Sequence, residues 1–160
     1  MAILTQSGRT ALAKSIASQP IYMGWGKGQS EWGESPPQES ITSDKLLDAV
    51  GYRKATTVAY CQLADDGDIE LATGRFKLSD VPTNHLYFKF NYDFEDALGE
   101  TLKEVSVMVG TEPLDNSPDG QRYFTPEQVK STGTLLLLEH RRPLFRDQGV
   151  RESFEFVVSF

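Results

Sequence analysis

The chain has 160 residues, a net charge of −7 and a single cysteine. This length is sufficient to bury a hydrophobic core without a metal or a disulfide, so we predict one β-rich domain over residues 1–160. The acidic charge argues against a protein that coats nucleic acid or binds an anionic membrane.

The first 20 residues predict an N-terminal helical arm. Within it, the stretch 4–18 predicts a short amphipathic helix that is capped by Thr5 or Ser7 and stopped by Pro20. Its stripe is only weakly apolar, so the helix needs a surface to pack against. The residues of this stripe are Leu4, Gly8, Ala11, Leu12 and Ile16.

A strand over residues 21–25 follows, and a long loop over residues 26–43 comes after it. The loop is rich in Gly, Ser, Pro and Glu, a composition typical of irregular structure. Trp32 stands in the middle of this loop. A large apolar ring in a polar loop predicts docking, either onto its own domain or onto a neighbouring subunit.

The centre of the chain predicts mainly strands. A short helical turn over 44–51 is expected to end at Gly51. Cys61 lies within an apolar run and is expected to be a buried small hydrophobe. The predicted strands cover residues 52–64, 69–78, 85–94 and 103–113, with a hairpin turn at 65–68, a loop at 96–100 and a polar, proline-rich stretch at 113–131.

Two strands close the chain between residues 133 and 160. The apolar run 135–138 predicts a first strand that is buried on both faces. The second strand alternates in polarity and is expected to pair with a strand of this chain or of another subunit. Its apolar face contains Phe154, Phe156, Val158 and Phe160.

A basic loop is predicted between the two closing strands, with Arg141, Arg142, Arg146 and Arg151. One interpretation is a solvated hairpin loop, in which Arg151 pairs with a nearby glutamate. The other is a contact with an acidic surface of a partner subunit, where arginine is common.

Together these elements predict a mainly β fold, namely a β-sandwich or barrel of about seven strands with a short N-terminal helix and long loops. No membrane-spanning run or signal peptide is found in the sequence. The protein is therefore expected in a cytoplasm, or in a particle assembled there.

No motif predicts a catalytic, cofactor-binding or metal-binding site. Residues 115–120 have the spacing of a calcium loop, but the twelfth position is Pro126, which has no carboxylate. His85 and His140 have no ligand-type neighbours at zinc spacing. The glycines of 24–28 lack the lysine–serine or lysine–threonine ending of a phosphate loop, and no nucleophile elbow exists. We therefore expect a protein that is not an enzyme and binds no cofactor.

Three stretches resemble phage tail and baseplate proteins. The opening ILTQSGRTALAKSIAS, followed by IYMGWGKG, resembles their N-terminal module, a tail-collar-like (T)xAGRxxLAxAL helix before a strand ending in Gly-x-Gly. The segment LKEVSVMVGTEP is similar to their xKEVGVFxGT strand, with Ser106 in place of a glycine. The closing pattern GxLLLLExRxPxxRxxxxRExFEFVxxF is similar to the C-terminal signature of small tail and baseplate proteins of contractile-tailed phages.

The resemblance implies a virion structural protein, in the baseplate or near the tail tube, that assembles as several copies. The implied partners are other copies of the chain and neighbouring tube, sheath or baseplate proteins, with no nucleic acid and no membrane. The implied location is the virion tail, assembled in the host cytoplasm. Candidate subunit-interface residues are Leu12, Ile16, Trp25, Trp32, Arg141, Arg142, Arg146, Arg151, Phe154, Phe156 and Phe160.

Two alternatives remain open at the level of the sequence. The first is a head–tail neck or collar protein, or an adaptor for tail fibres. The second belongs to another class, a carbohydrate-binding β-sandwich in which Tyr22, Trp25 and Trp32 stack on sugars.

Overall fold

The computed structural model describes residues 1–160, which form two compact units. The first unit consists of Met1–Gln19, Ala55–Phe90 and Ser153–Phe160, and the second of Pro20–Lys54 and Asn91–Glu152. The mainly β class is confirmed, but there are 12 strands where the sequence predicts about seven. The assignment of the whole chain to a single domain stays a prediction.

The helical elements are α1 (Gln6–Ala17) and a short 3₁₀ helix (Pro126–Gln128). The strands, in chain order, are β1 (Ile21–Gly26), β2 (Ala49–Lys54), β3 (Thr57–Leu63), β4 (Ile69–Leu71), β5 (Gly74–Leu78), β6 (His85–Tyr92), β7 (Thr101–Val109), β8 (Glu112–Pro113), β9 (Tyr123–Phe124), β10 (Val129–Ser131), β11 (Thr134–Phe145) and β12 (Glu152–Ser159).

Helix α1 of the first unit begins where the sequence predicts, but it turns a different face inward. The Thr5 hydroxyl accepts a hydrogen bond from the Gly8 amide at 3.2 Å and caps the helix. The buried residue is Ala13, whereas Leu4 and Leu12 are about half exposed. Ala13 follows Leu12 by one position, a rotation of about 100° around the helix axis. The predicted apolar stripe is therefore wrong in phase, and Leu12 stays accessible.

The first unit contains a five-stranded sheet in the order β12-β6-β3-β5-β4. The predicted strand 52–64 is in fact two strands, β2 and β3, that belong to different sheets. The predicted return strand 69–78 is also divided, because a turn separates β4 from β5 and these two strands pair with each other. The short apolar runs identify extended backbone, but the sheet that each run joins depends on contacts distant in sequence.

A hydrophobic cluster of the first unit forms between β3, β4, β5 and β6. Cys61, Ile69, Phe76 and Tyr87 pack together there, and Cys61 is fully buried, which confirms its predicted environment. Burial raises the pKa of the Cys61 thiol to about 11. The strand β12 lies at an edge of this sheet beside β6, so the last strand pairs within its own chain.

The second unit contains a five-stranded sheet in the order β11-β7-β1-β2-β9 and a short pair of strands, β10 and β8. All six residues of the central strand β1 are buried. Within β1, Gly24 lies opposite Ser106 on β7 and opposite Tyr52 on β2. The Ser106 hydroxyl donates a hydrogen bond to the Gly24 carbonyl oxygen at 3.2 Å. Gly24 therefore leaves room for the side chains on both neighbouring strands.

The predicted helical turn over 44–51 is wrong. This segment is irregular up to Asp48, and Gly51 lies inside β2 rather than at a helix end. The amides of Lys27 and Gly28 donate to the carbonyl oxygens of Asp48 and Leu47, at 3.1 and 3.2 Å. These bonds to distant residues replace the local bonds of a helix, since a single turn is weak on its own.

The closing strands do not form a hairpin, because β11 pairs with β7 in one sheet and β12 joins β6 in the other. As β11 is an edge strand, the leucines at 135–138 are half-buried rather than buried on both faces. Arg141 and Arg142 lie within β11, and only Arg146 and Arg151 lie between the strands. The prediction of one basic hairpin loop is wrong on both points.

Gly24→Ala tests the close packing around β1. An added Cβ would lie 2.7 Å from Leu46 Cδ1 and 2.8 Å from Ser106 Oγ, so we expect the free energy of unfolding to fall by about 1–3 kcal/mol. Urea denaturation measures this change. Gly33→Ala is the control, because an added Cβ there meets nothing within 4 Å. Equal stability of the two variants would contradict the packing argument.

Candidate functional site

The second unit contains two charged clusters, each built around a buried charged side chain, Arg146 in one and Glu104 in the other. We call the first the arginine cluster (Arg53, Asp93, Asp96, Arg146) and the second the histidine cluster (Trp32, Glu39, Glu104, His140). Each cluster joins a strand of the sheet to an irregular segment. Because buried charges are costly unless they are paired, each cluster fixes the segment that it holds.

Arg146 is the centre of the arginine cluster and is 1% exposed. Its Nε donates to the Asp96 carbonyl oxygen at 3.1 Å, one Nη to the Val150 carbonyl oxygen at 3.1 Å and the other Nη to the Asp93 carbonyl oxygen at 2.7 Å. The Glu152 carboxylate lies 3.9 Å from the guanidinium. One side chain therefore holds the loop after β6 and the segment before β12.

Arg53 on β2 binds the same loop from a second direction. Its guanidinium donates to Asp96 Oδ2 at 3.0 Å and to Asp93 Oδ2 at 3.3 Å, and the Asp93 amide donates to Asp96 Oδ2 at 2.8 Å. Burial raises the pKa of Asp96, and the Asp93 amide and the Arg53 charge oppose this shift. The loop is thus closed by backbone and side-chain contacts together.

An aromatic stack connects the arginine cluster to the central strand. The rings of Trp25 and Tyr92 are stacked, with centroids 3.3 Å apart, and the Arg146 guanidinium lies 5.3 Å from the Trp25 ring centroid. The Tyr92 hydroxyl donates to the Met23 carbonyl oxygen at 2.8 Å. The stack and this bond anchor the cluster to β1.

The histidine cluster is built around Glu104, which is 1% exposed. One carboxylate oxygen accepts the Leu47 amide at 2.7 Å, and the other lies 3.5 Å from His140 Nε2. Burial raises the pKa of Glu104, and the Leu47 amide and His140 both oppose this shift. Glu104 therefore joins β7 to the segment before β2 and to β11.

His140 holds the long loop against the edge strand β11. Its backbone amide donates to Glu39 Oε1 at 2.7 Å, and its Nδ1 lies 2.8 Å from the Pro37 carbonyl oxygen. The hydrogen bond from the His140 amide lowers the pKa of Glu39. The Trp32 ring lies 4.4 Å from the His140 ring and is buried, so Trp32 docks onto its own unit, one of the two alternatives left by the sequence.

The predicted interface residues fall into three groups by exposure. Exposed side chains are Leu12, Arg142 and Arg151. Half-buried side chains are Ile16, Arg141, Phe156 and Phe160, and buried ones are Trp25, Trp32, Arg146 and Phe154. The buried ones have internal roles in this structure, whereas contact of the others with neighbouring subunits stays a prediction.

Carbohydrate stacking by Tyr22, Trp25 and Trp32 has no support in the structure, because all three rings are buried. A sugar would need an exposed ring face. No group of three or more His, Cys, Asp or Glu side chains is placed to hold a metal ion. No helix of the protein is both long enough and apolar enough to cross a membrane.

Several exposed apolar side chains are not among the predicted interface residues, and Ile3, Ile41, Phe145 and Val150 are four of them. Ile41 is an apolar residue flanked by polar residues at 38–40 and 42–45. The same pattern, an apolar side chain in a polar loop, predicts the docking of Trp32. Within this loop, Trp32 is therefore buried whereas Ile41 is exposed.

Arg146→Met tests whether the arginine cluster stabilises the second unit. The substitution removes the donor side chain from three buried or part-buried hydrogen bonds to carbonyl oxygens, so we expect the free energy of unfolding to fall by about 3–5 kcal/mol. Arg142→Met, on the exposed side of β11, should change it by no more than about 0.5 kcal/mol. Chemical denaturation of both variants gives the comparison, and similar losses in the two would be evidence against a special role for Arg146.

Glu104→Gln tests the electrostatics of the histidine cluster. The pKa of Glu104 is raised above its ordinary value of 4.5, so the folded protein binds this proton more tightly than the unfolded chain. The resulting stabilisation is complete below pH 4.5 and is lost as pH rises through the raised pKa. Since a glutamine side chain does not titrate, the free energy of unfolding of the variant should fall less over that window than that of the wild type.

Urea denaturation at a series of pH values measures this difference. Glu139→Gln is the matched control. Glu139 is exposed and precedes His140 on β11. The control should follow the wild-type curve. If Glu104→Gln also followed it, burial of the Glu104 charge would not contribute to the pH dependence.

Comparison with known proteins adds one finding. A protein-family model described as baseplate wedge 3 tail fiber network component matches residues 1–160. No curated protein matches the chain. The family match therefore covers both compact units and both charged clusters.

Proposed function

The chain belongs to the family of baseplate wedge 3 tail fiber network components, and we propose that it works by oligomeric assembly, with no chemistry of its own. The protein is a structural component of a phage baseplate, and it is located in the virion tail beside other baseplate proteins. The match of a structural family to the whole chain is the observation that carries the proposal.

The surface of each unit has parts that suit assembly. Leu12 on α1 remains about half exposed in the first unit. In the second unit, Phe145 and Val150 are exposed, and the exposed Arg151 lies over the Phe94 ring at 4.6 Å and 3.8 Å from Asp93 Oδ1. Mixed apolar, aromatic and arginine side chains are typical of the anchors of protein interfaces.

The arginine cluster supports this proposal through pre-organisation. The Arg146 side chain binds the Val150 carbonyl oxygen within the exposed 147–151 segment and the Asp93 and Asp96 carbonyl oxygens of the loop after β6. A segment that is already ordered loses little conformational entropy when a partner binds it, so more of the contact energy is available for affinity. Pre-organisation of the 147–151 segment would explain why the Arg146 side chain is buried beneath it.

Neighbours of three kinds follow from the proposal. They are other copies of the chain, tail tube or sheath proteins of a contractile tail, and other baseplate proteins, assembled in the host cytoplasm without nucleic acid or membrane. The family description also names a tail fibre network. This favours a second candidate, in which the chain is an adaptor that joins the baseplate wedge to tail fibres.

Co-expression of the tagged chain with the baseplate and tail-fibre proteins of the same phage tests the proposal. We expect the chain to co-purify in a complex of defined stoichiometry, measured by mass photometry. Leu12→Glu should reduce recovery of the complex, because it places a charge on the exposed face of α1, whereas Leu78→Glu serves as an exposed apolar control on β5. A chain that stays monomeric and joins neither baseplate nor fibre proteins would contradict assembly as its function.

A further inference from the structure

The outer edge of β11 borders a small apolar groove. Ile41 and the leucines at 135–138 line it, together with Glu39, Ser40 and Ser43, and its volume is about 290 Å³. Ile41 is fully exposed at the rim. The groove is at the lower limit of small-molecule pockets, which hold about 300–1,000 Å³, and is a better size for a few apolar side chains.

Some backbone groups of β11 are directed away from the sheet at this edge. His140 donates its amide to the Glu39 carboxylate rather than to β7, so its polar backbone groups point away from the sheet. Backbone direction alternates along a strand, and the register to β7 is regular from Leu137 to His140. The N–H and C=O of Leu138 therefore also point outward, into the groove. An extended peptide placed there would gain hydrogen bonds as well as apolar contact.

The charges around the groove determine which kind of peptide segment can bind in it. Residues 31–44 carry Glu31, Glu34, Glu39 and Asp44 and no basic residue, and Glu139 is exposed on β11. An acidic peptide would be repelled at this rim, whereas an apolar segment flanked by basic residues would be attracted.

The N-terminal arm of the same chain has these properties. Residues 1–20 contain Arg9 and Lys14 and no acidic residue. Residues 1–4 precede the helix, and Met1 and Ile3 are strongly exposed. Because they are two positions apart, Met1 and Ile3 would lie on one face of an extended strand.

We propose that residues 1–4 of one copy pair with the outer edge of β11 in a second copy, with Ile3 seated in the groove beside Ile41. Arg9 and Lys14, on the helix that follows, then lie near the acidic 31–44 segment. The two surfaces are different, so the contact is heterologous and repeats from copy to copy, which builds a ring or an open chain. This inference rests on the proposed assembly function and names its partner as a second copy.

Intermolecular cross-linking tests the contact directly. Two full-length variants, Ile3→Cys and Ile41→Cys, are mixed under mild oxidation. Cys61 is buried and the pKa of its thiol is about 11, so it should stay unreactive. We expect a disulfide-linked heterodimer, identified by peptide mass spectrometry. Val81→Cys, at another exposed apolar position, replaces Ile41→Cys in the control mixture and should give at least about tenfold less product.

Sedimentation velocity on the isolated chain provides a second readout. Ile3→Asp and Ile41→Asp should each weaken self-association by about tenfold or more, because each adds a charge to an apolar contact. Both positions are exposed, so the monomers should stay folded.

Other outcomes would overturn the inference. Cross-links no stronger than the Val81→Cys control would do so, as would Ile41→Cys cross-linking to a fibre or baseplate protein in place of a second copy. If Ile3→Asp and Ile41→Asp self-associated as strongly as the wild type and still co-purified with baseplate proteins, the arm contact would fail while the assembly function stood. Loss of all co-purification by the wild type would instead remove the proposed function.

Discussion

The second unit depends on the hydrogen bonds that the buried guanidinium of Arg146 donates. A charge with 1% exposure is tolerated only because three carbonyl oxygens, a nearby carboxylate and the Trp25 ring surround it. Those carbonyls belong to segments without regular structure, whose backbone groups have no sheet partners. The arginine thus supplies hydrogen-bond donors to backbone oxygens in these segments. It connects the core around β1 to the exposed segment that the proposed function uses.

Close packing constrains the central strand β1. β1 is flanked by β2 and β7, and all its residues are buried, so side chains on adjacent strands compete for the volume above Gly24. The stretch with Ser106 resembles a strand of phage tail proteins that has glycine at that position. Here the Ser106 hydroxyl fills the space and bonds to the Gly24 carbonyl oxygen. A small residue is needed on at least one side of this pair, and Gly24 supplies it.

Edge strands connect the fold to assembly. An unprotected edge invites uncontrolled pairing, and proteins limit this with charges or covering loops. In β11 the carboxylate of Glu39 caps the outward amide of His140, and Trp32 holds the loop in place. The groove between Ile41 and Leu138 lies beside this cover, and the proposed arm contact would form there. Protection and recognition therefore lie next to each other on one strand.

Sequence patterns alone predict the mainly β class, an N-terminal helix capped by Thr5 or Ser7, the burial of Cys61 and the likeness to tail and baseplate proteins. These depend on local patterns: capping chemistry, alternation of polarity and apolar runs. The folded structure places β2 and β3, and likewise β11 and β12, in different sheets, because residues distant in sequence determine which strands pair. It also decided that Arg146 and Trp32 are internal while Ile3 and Ile41 are exposed. Arginine and tryptophan suit a core or an interface equally, and only the neighbours brought by folding, carbonyl oxygens around Arg146 and the imidazole of His140 beside Trp32, select between the two.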